Sequence, residues 1–258
     1  MAINSQSRLR IIGNKSEGRN HEVDMVKIIG FSKTSLLDWD GMVAAVIYLP
    51  GCNMRCPFCH NRELVLEGAK MDEVPRETIE EYLKDNAEFL DGVVVSGGEP
   101  TIHPDLPDLM RWLRSLGTKI KLDTNGSNPE MLKDLIRAGL IDYVAMDLKA
   151  PLDEKYSQLA GCQAPLDEIK LSIEVLMTSG IDYEFRTTMV PTYLNIEEYE
   201  RMAAYVGTAR KLALQHFSPR NTMDPNLSVI NPLPEAKVRA IAERCKPYVR
   251  KLVIRGGV

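Results

Sequence analysis

The sequence predicts an α/β fold with a parallel sheet and helices outside it. From residue 43 onward, short apolar runs alternate with longer segments whose apolar residues recur at i, i+3 and i+4, and the alternation repeats six times. Each apolar run ends in glycines or polar residues, as parallel strands do where they feed a ligand-binding face. Glycines such as Gly139 and Gly180 stop the helical segments. A curved open barrel and a doubly wound sheet both satisfy these observations, six units being fewer than the eight of a closed barrel.

Residues 1–24 stand apart from this pattern. The run 5–24 is rich in Ser, Asn, Arg, Lys, Glu and Gly and has no apolar periodicity beyond Ile11-Ile12, so it reads as a mobile N-terminal extension to a domain over 25–258. A strand is expected at 26–32, then an Asp40-Gly41 turn, then a buried strand at 43–49. Ile79, Tyr82 and Leu83 mark a helix over 75–89, and Val93-Val94-Val95 the next strand. Helix, strand and helix follow around Leu109 and Leu113, at 119–122, and around Leu132 and Leu135. Strands at 143–146, 183–188 and 212–217 are separated by helices at 166–178 and 196–206. A helix at 235–245 and an extended piece at 249–254 end the chain.

The 258 residues are 44% hydrophobic and 26% charged with net charge −4, ordinary globular material and a poor match to a nucleic-acid surface. No apolar run approaches the ~18 residues of a membrane span, and the N-terminus has no apolar signal region. Five cysteines, three of them clustered, suit metal binding in a reducing cytoplasm better than disulfides.

The chemistry concentrates where strands end. Cys52-x3-Cys56-x2-Cys59 follows the 43–49 strand. Thiolates ligate soft metals and iron–sulfur clusters, and a [4Fe–4S] cluster ordinarily takes four. Three with no fourth nearby leave one iron open to something that is not protein. A zinc site using His60 is cramped because His60 adjoins Cys59, and a Cys56–Cys59 dithiol leaves Cys52 idle. Gly97-Gly98-Glu99-Pro100 is either a tight turn or backbone bared for close approach by a ligand. Asp123-Thr124-Asn125-Gly126 is also ordinary turn chemistry. Asp147 and Lys149 are two apart, share a face and suit an ion pair. Arg186-Thr187-Thr188 and Gln215-His216 end the fifth and sixth strands, although a lone histidine is more often a satisfied, semi-buried one. Cys162 and Cys245 have no neighbouring cysteine and read as core packing.

The cysteine pattern with Phe58 before its third member, followed by Gly97-Gly98-Glu99-Pro100, resembles the radical S-adenosylmethionine (SAM) superfamily. Within it, the stretch 51–61, Leu122-Asp123-Thr124-Asn125-Gly126 and Met146-Asp147-Leu148-Lys149 resemble the glycyl-radical-enzyme activases that serve pyruvate formate-lyase or anaerobic ribonucleoside-triphosphate reductase. The resemblance spans 26–217. It implies a partial (β/α)6 TIM-like barrel with its core at 43–217 and a C-terminal helix and extended segment within 218–258. It also implies a [4Fe–4S] cluster on Cys52, Cys56 and Cys59, SAM on the open iron, and reductive cleavage to a 5′-deoxyadenosyl radical. That radical takes hydrogen from a glycine of a partner enzyme.

By the same resemblance, Phe58, Cys59 and His60 lie against the adenine, and Gly97, Gly98 and Glu99 offer backbone to the methionyl ammonium. Leu148-Lys149 brings an ammonium to the SAM carboxylate, and Asp147 and His216 lie near the ribose. Asp123 and Asp147, with the carbonyls of Thr124 and Ala145, match a monovalent cation site. The implied partners are a glycyl radical enzyme and a flavodoxin- or ferredoxin-type electron donor, with no nucleic acid and no membrane. Asp38-Trp39-Asp40-Gly41 and Gln215-His216-Phe217-Ser218 depart from the pyruvate formate-lyase activase, which has Asp-Gly-Pro-Gly and Pro-Tyr-His there; with 184–188 they look closer to the reductase-activating branch. Two other readings differ in what they require. A radical SAM enzyme acting on a small molecule, like the 7-carboxy-7-deazaguanine synthases, needs a closed substrate pocket. A non-catalytic iron–sulfur or zinc protein needs a fourth protein ligand.

Overall fold

The alternation becomes one eight-stranded sheet whose strands lie in chain order. The computed structural model describes residues 26–256, so the extension expected at 1–24 lies outside the described residues. Strand β1 (Gly30–Ser35) is antiparallel to β2 (Ala44–Leu49). From β2 onward every pairing is parallel, through β3 (Gly92–Gly97), β4 (Lys119–Thr124), β5 (Tyr143–Asp147), β6 (Asp182–Met189), β7 (Leu212–His216) and β8 (Leu252–Arg255). Helices α1 (Arg62–Leu66), α2 (Arg76–Asp85), α3 (Leu106–Ser115), α4 (Pro129–Arg137), α5 (Glu154–Ala160), α6 (Leu166–Thr178), α7 (Ile196–Tyr205) and α8 (Glu235–Cys245) lie in the connections. This is a partial TIM-like barrel. Among the described residues no helix is long and apolar enough to cross a membrane.

The two-residue period of a strand divides the buried side chains between two environments. Ala45, Ile47 and Leu49 of β2 and Val93 and Val95 of β3 face the helices in the main core. Helix α3 answers with Leu106, Leu109, Met110 and Leu113 on one face, all fully buried. Each such side chain contributes about 1.5–3 kcal/mol of apolar burial. The opposite faces of the same strands point inward. There Trp39, from the loop before β2, packs on Ala44, Val46 and Val94 and tilts against Tyr143 at 5.9 Å between centroids. Gly92 makes room for it, since a Cβ there would sit 2.8 Å from the Trp39 ring.

Charged groups share the interior with this plug. Glu184, fully buried, accepts from Arg255 Nη1 and Nη2 at 2.7 and 2.6 Å and from the Tyr143 hydroxyl at 3.1 Å. Burial pushes its carboxyl up, but Arg255, Lys121 and Lys211 outweigh burial and hold it below the usual range. Arg255 and Lys211 also bind Asp40, joining the loop before β2 to the last strand across 215 positions. Asp40→Asn should weaken this link. Because the carboxylate is 37% exposed, the loss is expected to be about 1 kcal/mol, a fall in Tm of about 2–4 °C in a thermal melt at low salt. An unchanged melt would show that the link contributes nothing.

The elements differ from expectation in four places. The first strand runs over Gly30–Ser35 rather than 26–32, because 26–29 is extended chain tied to Tyr48, Val74 and Arg76 at the sheet edge. Helix α2 ends at Asp85, where Asn86 caps it and its side chain bonds the Tyr82 carbonyl. Helices α1 and α5, of 5 and 7 residues, are too short to show a period. The final extended piece is β8, which adds one more parallel strand through α8.

Candidate active site

A cavity of about 340 Å³ opens at the carboxyl ends of the strands, where the polar clusters meet. Cys52, Cys56 and Cys59 all line it. The loop that carries them is built by close backbone contacts. Gly51 turns the chain at φ 74°, and its N–H donates to Leu64 O of α1 at 2.9 Å. Arg55 N–H donates to Ala160 O at the end of α5 at 2.8 Å, and Gly161 leaves space there, because a Cβ would lie 2.0 Å from Arg55 O. The Arg55 guanidinium folds back onto Cys52 O and Met54 O at 2.6 and 2.8 Å. Met54, Cys56 and Phe58 anchor the loop in the core.

Chain from the far end of the sequence covers this loop. His60 Nε2 bonds Ser218 O at 2.9 Å, and Asp224 N–H donates to Pro57 O at 2.8 Å. On the other side, Asn125 Nδ2 donates to Asn53 Oδ1 at 2.8 Å and lies 3.9 Å from Cys52 Sγ, while Asn53 Nδ2 donates to Ser127 Oγ at 2.8 Å.

The glycine loop at the end of β3 lines the cavity and packs against the end of β2. Gly98 and Glu99 donate their N–H groups to Leu49 O and Gly51 O at 3.0 and 2.8 Å. Their backbone is bared for the neighbouring strand, and a Cβ on Gly98 would lie 1.7 Å from Gly51 O. An ammonium donates and is received only by carbonyl oxygens, of which Gly97 O already accepts from Asn61 Nδ2 at 2.9 Å. The Glu99 side chain is buried and accepts four hydrogen bonds. Oε1 takes Thr101 N–H, Thr101 Oγ1 and Thr124 Oγ1 at 3.1, 2.6 and 2.7 Å, and Oε2 takes Asn125 N–H at 2.6 Å. Burial raises the carboxyl above its ordinary value against these donors.

Across the cavity, charges alternate. Lys149 Nζ lies 2.9 Å from Asp147 Oδ2, Arg186 Nε 2.8 Å from Asp147 Oδ1, and Arg186 Nη1 3.0 Å from Asp123 Oδ2. Lys121 is 3.3 Å from Asp123 Oδ1 as an ion pair, outside hydrogen-bond geometry. Burial opposes the Asp147 carboxylate, but Arg186 and Lys149 overcome it and bring its pKa down to about 2. Burial likewise opposes the Lys149 ammonium, and Asp147 overcomes it, so Lys149 stays above the usual lysine range.

The three thiols are in the opposite condition. Burial raises all three, Cys56 to about 11, with Lys149 the nearby cation that lowers each. Ionising them together needs further positive charge, which bound iron supplies. Among the described residues no three His, Cys, Asp or Glu side chains converge as one metal ion would require. Nor does Cys162 or Cys245 line the cavity, so no further cysteine approaches as a fourth ligand. This donor set fits a cluster with one open iron better than a closed zinc site.

Of the residues expected here, Phe58, Cys59, His60, Gly97, Gly98, Glu99, Asp123, Thr124, Asp147 and Lys149 line the cavity. His216 does not. Strand alternation turns it away, and its neighbour Gln215 lines the cavity instead. Leu148 is buried in the main core, where its N–H donates to Arg186 O at 2.7 Å. Ala145 is buried in β5 away from the cavity wall. The gap between Asp123 and Asp147 is filled by the Arg186 guanidinium. Arg186 and Gln215 were visible as polar residues at strand ends, but their roles were not. The alternation Glu184, Arg186, Thr188 against Tyr183, Phe185, Met189 was the signal for an inward-facing cation.

Comparison with known proteins agrees with this geometry. The profile of the Radical SAM superfamily matches residues 46–206. A protein of Methanocaldococcus jannaschii, assigned by name as a glycyl-radical enzyme activating enzyme, is 35% identical over 88% of this chain and 95% of its own length. The pyruvate formate-lyase-activating enzyme of Clostridium pasteurianum is 25% identical over 78% of this chain and 85% of its own. Among solved structures, Streptococcus suis SuiB bound to its precursor peptide SuiA superposes with a TM-score of 0.63 at 17% identity. It covers 82% of this chain, which spans 48% of SuiB, and at that identity the likeness is one of fold.

Proposed function

This chain belongs to the radical SAM superfamily, and from that premise we propose that it generates a glycyl radical on a partner enzyme. The observation that carries the proposal is the 35% identity with an activating enzyme over nearly the full length of both chains. Cys52, Cys56 and Cys59 would hold a [4Fe–4S] cluster, and SAM would occupy the rest of the cavity. When bound, the pair supplies one-electron cleavage of SAM and hydrogen-atom abstraction.

The chain's own residues do the rest. Lys149, kept charged by Asp147, presents an ammonium to the SAM carboxylate, a charge-assisted contact. The Gly98 carbonyl, next to a Gly97 carbonyl already bonded to Asn61, would accept from the methionyl ammonium. Phe58 gives the adenine an apolar wall. The segment that binds His60 and Pro57 ties down the cysteine loop, and the partner's glycine loop would enter the cavity that this loop lines. The partner would be of the anaerobic ribonucleotide reductase or pyruvate formate-lyase type, and the electron donor a flavodoxin or ferredoxin.

The test is anaerobic reconstitution followed by reduction with SAM and a candidate glycyl radical enzyme. About four irons per chain, release of 5′-deoxyadenosine and a glycyl-radical electron paramagnetic resonance signal on the partner are expected. Zinc in place of a cluster would overturn the cofactor assignment. SAM cleavage with no signal on either partner type would overturn the activase assignment alone.

A further inference from the structure

We infer that Arg186 stands in for the monovalent cation, filling the gap between Asp123 and Asp147 so that this site takes no metal ion. All four carboxylate oxygens of the pair already face a protein cation. Asp147 Oδ1 and Asp123 Oδ2 meet Arg186 at 2.8 and 3.0 Å, Asp147 Oδ2 meets Lys149 at 2.9 Å, and Asp123 Oδ1 faces Lys121 at 3.3 Å. Each carboxylate oxygen is thus matched by a protein cation, which leaves an incoming metal ion no unpaired anionic ligand between them.

The arrangement is fixed by the fold. Arg186 is 12% exposed at its side chain, its carbonyl is held by Leu148 N–H, and β5 pairs Asp147 directly opposite it. Arg186 lines the cavity, and among the described residues its Nη2 donates to no protein atom. Those N–H groups are left for the carboxylate of a ligand, beside Lys149. Arg186 therefore positions Asp147 and Asp123 and also faces the ligand with its remaining N–H groups. It orders both carboxylates with a covalently attached charge, so the order does not depend on the ionic composition of the medium. The ligand in question is SAM, and this inference rests on the superfamily assignment but not on the identity of the partner.

The test has a structural arm and a kinetic arm. Crystals of the wild-type protein grown in rubidium should show no anomalous peak between Asp123 and Asp147. Reconstituted wild-type enzyme should cleave SAM at rates that differ by less than about twofold when sodium, potassium or choline chloride is exchanged at constant ionic strength. Arg186→Met should raise the KM for SAM by about tenfold to a hundredfold. It should also admit rubidium, and potassium should restore both its SAM binding and its thermal stability, whereas choline should not. A rubidium peak in the wild type, a wild-type requirement for potassium, or a variant whose KM and melt ignore potassium would each overturn the inference. If the variant cannot be isolated, the two wild-type arms decide. The rubidium arm stands even if no SAM is cleaved, which separates failure here from failure of the proposed function.

Discussion

Gly98→Ala is expected to abolish iron loading. The added Cβ would fall 1.7 Å from Gly51 O and 2.5 Å from Gly51 C, backbone atoms that have no rotamer to change. The two loops would have to part by more than an ångström to reach ordinary contact. That breaks the Glu99 N–H bond to Gly51 O and displaces Cys52, the next residue in the chain. Overpacking alone costs about 1–3 kcal/mol, and the lost hydrogen bond leaves a donor unpaired for about 1–3 kcal/mol more. Iron per chain after anaerobic reconstitution should fall near zero and the Tm should drop. Full iron content at the wild-type Tm would show that the contact does not position the cysteine loop.

Glu99→Ala should have an effect of similar size for a different reason. Its carboxylate is the acceptor for Thr101 N–H and Asn125 N–H in a buried setting, and truncation leaves both without partners at about 1–3 kcal/mol each. Asn125 is also the residue that holds Asn53, so the cysteine loop would lose its tie to the end of β4. The expected result is a large fall in thermal stability together with weaker cluster retention under chelator. Glu99→Gln keeps the shape and one acceptor oxygen, and should fall between the wild type and Glu99→Ala. A Glu99→Ala protein that melts and holds iron like the wild type would show that this carboxylate stitches nothing.

Both predictions concern residues whose positions the sequence made legible and whose purpose it did not. The strands and the helices α6 and α8 were readable because burial imposes period 2 or 3.6 on long segments. The clustering of polar residues at strand ends was readable because a parallel sheet sends all those ends to one face. Helices α1 and α5 hide because so few turns show no period. Gly97 and Gly98 line the cavity, and Gly98 also admits the carbonyl of Gly51, a contact between segments 47 positions apart that no local pattern records. Gln215 and His216 are one residue apart, which in a strand is the difference between the two faces of the sheet, and Gln215 is the one that lines the cavity. Arg186 is legible as a polar residue at a strand end, but its partners are not. Its value comes from two carboxylates on neighbouring strands, and only the register of β4, β5 and β6 brings the three together.

The cover that His60 and Pro57 receive has a consequence in time. Ser218, whose carbonyl binds the His60 ring, lies 158 residues downstream. At about 5–20 residues per second, roughly 8–30 s of translation separate the two. Throughout that interval the three thiols are already made while the segment that shelters them is not. Iron delivered to the nascent chain meets an exposed loop. Iron delivered to the finished protein meets a loop already tied to Ser218 and Asp224, so loading before and after that segment is made are different reactions of the same three thiols.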